Sequence, residues 1–206
     1  FFLSIIKPKS LYTIGSFLNH MVQNRNIENE IMLHLLRGES HVREIAKTIH
    51  EPHPTVSRKL SNLVKENAID FKIEGRNKVF FLKKNSITKN YVLNAEHYKL
   101  NKLFKRYPEM LVLVEEIQQK TPSLMALIFG SYAKGRAKKE SDIDIYIETK
   151  DQKLKKDLES LHSKLNVKIG LFDLKSNLIK EIIKNHVILK GYEEFYERIG
   201  FFKETV

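Results

Sequence analysis

From Ser123 the chain runs SLMALIFGS, an apolar stretch halted at Gly130-Ser131, and after the basic segment Lys134–Lys139 it resumes as DIDIYIE. An apolar run bounded by a turn reads as a buried strand, and strict alternation reads as a strand with two unlike faces. In the second strand Ile143, Ile145 and Ile147 face one way, and Asp142, Asp144 and Tyr146 face the other. The two carboxylates therefore share a face, about 7 Å apart along the strand. Like charges so placed repel unless a cation accompanies them, and magnesium, a hard oxygen-seeking ion, suits such a pair. The turn complements them. Glycine permits close backbone approach, N–H groups opening the following helix favour phosphate, and Ser131 adds a hydroxyl.

FGSYAKGRAKKESDIDIYIE resembles the nucleotidyltransferases of the polymerase-beta-like superfamily, specifically their minimal bacterial and archaeal branch, over roughly residues 123–190. The resemblance rests on Gly130, Ser131, Gly135, Ser141, Asp142 and Asp144 at their mutual spacing. It implies Asp142 and Asp144 as catalytic and metal-binding residues, and Gly130, Ser131, Lys134 and Ser141 as nucleotide-binding residues. It also implies Mg2+ as cofactor and ATP or another NTP as substrate. One metal would activate the attacking oxygen while another neutralises departing pyrophosphate. The family places a third carboxylate on a later strand. In NVKIGLFDL the pocket-facing set is expected to be Lys168, Gly170 and Phe172, with Val167, Ile169 and Leu171 core-facing. The first acid of the family pattern then falls on Gly170, which cannot ligate, and Asp173 serves only where a bulge or strand end turns it inward. A missing third acid would weaken activation of the acceptor hydroxyl.

Upstream, Ile27, Ile31, Leu35 and Leu36 recur at helical spacing until Gly38. Ser40 is expected to cap a second helix with Val42, Ile45, Ala46 and Ile49 inward. Beyond Pro52 and Pro54, Thr55 is expected to open a third helix packing on Val56, Leu60, Leu63 and Val64. IDFKIEG and KVFFLKK read as strands joined at Gly75-Arg76-Asn77. Residues 25–86 resemble a winged helix-turn-helix domain of the bacterial and archaeal regulator kind. The face of the third helix away from its core carries Thr55, Ser57, Arg58, Lys59 and Asn62, and the wing carries Arg76 and Lys78. Hydroxyls and long cations on an exposed helix suit the major groove of double-stranded DNA. The alternative is a winged helix used for protein contacts alone. His50 and His53 read as turn and surface residues.

The overall expectation is an α+β chain: a winged helix over residues 21–86, a helical connector over 87–122, and a mixed-sheet nucleotidyltransferase domain with flanking helices over 123–206. Within the connector, helices end before Pro108 and Pro122 and shape a homodimer seam. A helix is expected over Leu154–Leu165, and NLIKEIIKNHVILKGYEEFYERI reads as a pair of helices. Residues 1–20, ending at a His20-Met21 junction, read as a leader or cloning-derived segment.

The formal charge of +11 points to a polyanionic partner, and the excess leans toward residues 1–90. With no cysteine, a disulfide scaffold, a thiol nucleophile and Cys-ligated zinc are excluded, in keeping with a cytoplasmic setting. No apolar run is long enough for a membrane span. Two functional readings follow. In the first, a DNA-binding nucleotidyltransferase moves a nucleoside monophosphate to a hydroxyl on an acceptor protein or RNA. In the second, a non-catalytic transcriptional regulator uses the nucleotidyltransferase-like domain to sense nucleotide or to dimerise. A replication-associated protein of a mobile element would also accommodate both domains.

Overall fold

A computed structural model describes residues 26–202; the leader expected over residues 1–20 lies outside them. Helix α1 (Ile27–Leu35) opens at Asn26, whose side chain accepts from the N–H of Asn29 at 3.1 Å. Ser40 does not cap the next helix. It lies with His41 in a short strand, β1 (Ser40–His41), and its hydroxyl donates to Glu44 at 2.8 Å. Helix α2 (Val42–Thr48) leads through His50 (φ 53°) to α3 (His53–Lys65), which buries Val56, Leu60 and Leu63. That helix begins before Thr55 because Pro54 falls in the first turn, where a missing N–H costs nothing. Strands β2 (Ile69–Glu74) and β3 (Asn77–Leu82) pair antiparallel, with Glu74 opposite Asn77. The connection is therefore Gly75-Arg76 alone, and Gly75 takes the positive φ of 60° that the tight turn needs. With β1 on β3 the sheet order is β1-β3-β2, completing a winged helix.

Helix α4 (Ser86–Arg106) follows, capped by Asn85, and α5 (Met110–Lys120) packs behind it. The second sheet has the order β6-β5-β4-β7, built from β4 (Ala126–Ile128), β5 (Ile143–Glu148), β6 (Leu165–Gly170) and β7 (Val187–Lys190). Strand β4 runs antiparallel to β5 and to β7, whereas β5 and β6 are parallel and joined by α7 (Gln152–Glu159). Between β4 and β5 lies the short helix α6 (Gly130–Ala133), and α8 (Asn177–Lys184) and α9 (Tyr192–Arg198) flank β7.

Several expectations need correction. The helix after β5 stops at Glu159, and Leu165 starts a strand. HVILK is no helix: its apolar residues form β7, a strand buried on both faces. Leu171, expected in the core, is 63% exposed because regular β6 has already ended.

The second sheet has a core on each face. Ile143, Ile145, Ile147, Ala126 and Ile128 pack against α5, α7 and the C-terminal half of α4. On the other face, Leu127, Phe129, Tyr146 and Ile188 join Ile179 of α8, Phe195 of α9 and Val92 and Ala95 of α4. This second cluster continues without interruption into Ile31, Leu60 and Phe80 of the winged helix. Among the described residues no helix is long and apolar enough to cross a membrane.

Candidate functional site

Strand β4 ends where the Phe129 N–H donates to the Asp144 carbonyl at 3.0 Å, and Gly130 then turns the chain at φ 69° into α6. This register sets the Asp144 side chain directly against Gly130. A Cβ on that glycine would collide with Asp144 Oδ2 and stand 3.2 Å from its Cγ. Glycine is thus required twice here, for the backbone angle and for the space the carboxylate fills. Asp144 accordingly faces the bend. Asp144 is half-buried, and Asp142 lies exposed at the entrance to the strand.

Ser141 acts one step away. Its hydroxyl accepts from the Lys138 N–H, and its own N–H donates to the Lys138 carbonyl, each at 2.9 Å. That turn delivers Asp142 to β5. Lys134 is drawn to α8, where its Nζ lies 2.6 Å from Glu181 and the ion pair holds that carboxyl below its ordinary range. Ser131 is half-buried, and its carbonyl accepts from the Arg136 N–H at 2.9 Å.

The parallel register sets which residue stands beside Asp144 on β6. Asp144 stands opposite Asn166, and the Asn166 amide donates to Asp144 Oδ1 at 2.7 Å. The strand neighbour of the acid pair is therefore an amide. Gly170 lies at the far end of β6, opposite Glu148, and its carbonyl accepts from the Tyr146 hydroxyl at 2.9 Å. Asp173 lies beyond the strand, exposed, with Oδ1 occupied by the Lys175 N–H at 2.9 Å. Phe172, expected to face the pocket, is buried and meets Tyr146 and Phe195 edge-on. Sequence reasoning passed over Asn166, although it belongs to the same alternating set as Lys168 and Gly170.

Two carboxylates, with the Asn166 amide on β6 beside Asp144, supply enough anionic oxygen for one divalent cation. They do not fit a pair of ions, because an amide N–H donates where a second ion needs an anionic oxygen. Among the described residues no group of three His, Asp or Glu side chains is arranged to hold a metal.

On the winged helix, Arg58 and Asn62 are exposed along α3, while Thr55 and Ser57 are half-buried. Lys59 is tied to α1 through Glu28 at 2.9 Å. At the wing Arg76 is exposed, and Lys78 extends its Nζ over the Phe71 ring, 3.9 Å from the centroid.

Residues 112–194 match the family model described as Polymerase beta, Nucleotidyltransferase. Comparison with curated proteins returns no match. Similar solved structures include the homodimeric winged helix-turn-helix DNA-binding domain from Mycobacterium bovis, at 19% identity and a TM-score of 0.32, covering 41% of this chain and 82% of that one. The transcriptional repressor BigR from Xylella fastidiosa is 15% identical with a TM-score of 0.31, over 48% of this chain and 87% of that one. The adhesin competence repressor AdcR from Streptococcus pyogenes is 16% identical with a TM-score of 0.34, over 54% and 96% of the respective chains. Behind its winged helix, residues 112–194 of the chain thus match the polymerase beta nucleotidyltransferase family model.

Proposed function

We propose that this protein is a DNA-binding regulator whose nucleotidyltransferase domain binds a nucleoside triphosphate without transferring its nucleotidyl group. The observation that carries this reading is the hydrogen bond from Asn166 to Asp144 at 2.7 Å. In this fold the third acid of the pocket would stand beside Asp144 on the adjoining strand, and an amide there supplies neither the negative charge nor the basicity to draw a proton from an acceptor hydroxyl. Asp142 and Asp144 would hold a magnesium ion, which would neutralise triphosphate oxygens laid on the Gly130-Ser131 turn. The side chains do the rest: Gly130 leaves room for Asp144, Ser141 fixes the loop that presents Asp142, and Asn166 fixes the orientation of the Asp144 carboxylate. DNA binding is assigned to α3 and the wing, where Arg58, Asn62 and Arg76 are exposed.

The test is incubation with magnesium and ATP labelled in the α-phosphate, together with equilibrium binding of the same nucleotide. Loss of the magnesium-dependent component of binding in Asp142→Ala/Asp144→Ala, with no covalent label on protein or nucleic acid, is the expected result. Covalent label that disappears in the double variant would overturn the non-catalytic reading and restore the transferase.

A further inference from the structure

Between the winged helix and the second sheet lies a cavity of about 540 Å³, within the range of small-molecule sites. It is walled by the end of α1, the end of α2, α4, the residues following Ser131, and the junction of α8 with β7. Its lining is strongly basic: Arg37, Lys99, Lys102, Arg106, Lys134 and Lys184 against only Glu30 and Glu96. Each acid is already neutralised. Lys102 and the Tyr98 hydroxyl hold Glu30 at 2.6 and 2.9 Å, and Lys99 and the Tyr196 hydroxyl hold Glu96 at 2.7 and 2.8 Å. Lys134 is paired with Glu181. Among the described residues, Arg37, Arg106 and Lys184 have no carboxylate within ion-pair distance, and Gly135 lets the Arg106 guanidinium lie against its backbone. Arg37, Arg106 and Lys184 are exposed along this lining, and positive charge gathered there favours an anion.

A second observation points into the same space. His186 is 9% exposed and fixes its Nδ1 on the Ile182 carbonyl at 2.9 Å. Its Nε2 lies 3.6 Å from Glu96 Oε1, within ion-pair reach but without a hydrogen bond, and Nδ1 of His34, another residue of the lining, has no hydrogen-bond partner either. Burial lowers the pKa of both rings, so an incoming anion would be the group that favours their protonation. Leu33, Leu36, Ile49 and Phe195 supply apolar wall suited to a base. We infer that this interdomain cavity binds a nucleoside polyphosphate through Arg37, Arg106 and Lys184, without a divalent metal. The site is separate from the acid pair: Asp142, Asp144 and Asn166 do not line it.

The experiment is calorimetric titration of the full chain with ATP, and separately with pyrophosphate, in EDTA. ATP is expected to bind, and more tightly than pyrophosphate. Arg37→Glu/Arg106→Glu is expected to weaken it about tenfold or more. A matched reversal outside the cavity, Lys120→Glu/Lys150→Glu, should leave it within about twofold, and the pair Asp142→Asn/Asp144→Asn should not abolish it. A requirement for magnesium, loss in the aspartate pair, or indifference to the cavity reversal would overturn the inference. Equal affinity for pyrophosphate would reduce the site to a phosphate site and overturn the nucleoside assignment. Should the reversed variant fail to fold, the ring resonances of His34 and His186 decide in the wild type. Their titration is expected to move to higher pH with ATP present, and rings that ignore ATP would exclude it from the cavity.

Discussion

The amide of Asn166 donates to Oδ1 of Asp144 across the parallel β5–β6 pair, at 2.7 Å. That contact replaces a repulsion between acids with an attraction, and it settles the Asp144 carboxylate without a metal. It also makes Asn166→Asp the informative change. With magnesium and labelled ATP, this variant is expected to raise nucleotidyl transfer about 10²-fold or more above wild type. Without magnesium, three neighbouring carboxylates should lower the thermal midpoint, and the metal should restore it. A wild type that transfers label as fast as Asn166→Asp would sink the argument.

Gly130→Ala should destabilise the chain by about 2 kcal/mol, since it combines an unfavourable φ with a collision against Asp144. Urea unfolding measures this directly. Gly38 has φ 150° but open space around it, so Gly38→Ala should cost less. Equal losses at the two glycines would mean that the carboxylate is not packed where the register puts it.

Arg58→Ala should weaken duplex binding and lower the slope of log affinity against log salt by about 1. Lys59→Ala should leave that slope nearly unchanged, because Lys59 already answers Glu28. Its stability loss should stay under about 1 kcal/mol, as for other partly exposed ion pairs. Fluorescence anisotropy across a salt series separates the two residues.

Acidification should destabilise the protein in two stages. His186 titrates below its ordinary 6.5 in the folded chain, chiefly through burial and then through the nearby Lys99 charge. The unfolded chain therefore takes up the proton first, and stability falls once pH drops below about 6.5. Burial pushes Glu96 upward, but Lys99 and His186 outweigh it and bring its pKa to about 2. Its contribution is present above the ordinary carboxyl value of 4.5 and is lost as pH falls toward 2. Glu96→Gln should cost about 3 kcal/mol near neutrality by leaving Lys99 unanswered, and should flatten the lower stage. Unfolding midpoints from pH 3 to pH 8 would reveal a single stage if this assignment of groups were wrong.

The winged helix is legible in the sequence because its signals are local: α1, α3 and both wing strands follow from apolar spacing and from Gly75. The strand holding Asp144, with Asp142 just before its first residue, is equally plain, since alternation separates its apolar face from its polar one. What escapes depends on distant partners. Ser40 looks like a cap until Phe80 arrives opposite it to make β1. The run Val187–Lys190 is too short for periodicity to separate strand from helix, and only β4 beside it decides. The position of Asn166 depends on how α7 returns the chain, because a parallel pair has no turn to set its register.

Helix α4 runs unbroken from Ser86 to Arg106, roughly 30 Å at the usual rise, and packs against α1 at one side and β7 at the other. It works as a strut. Bending it midway would tear both Val92 and Ala95 from the apolar cluster they complete. That cluster runs from the sheet into the winged helix, so the helix and the cluster together hold the recognition surface against the cavity beneath it.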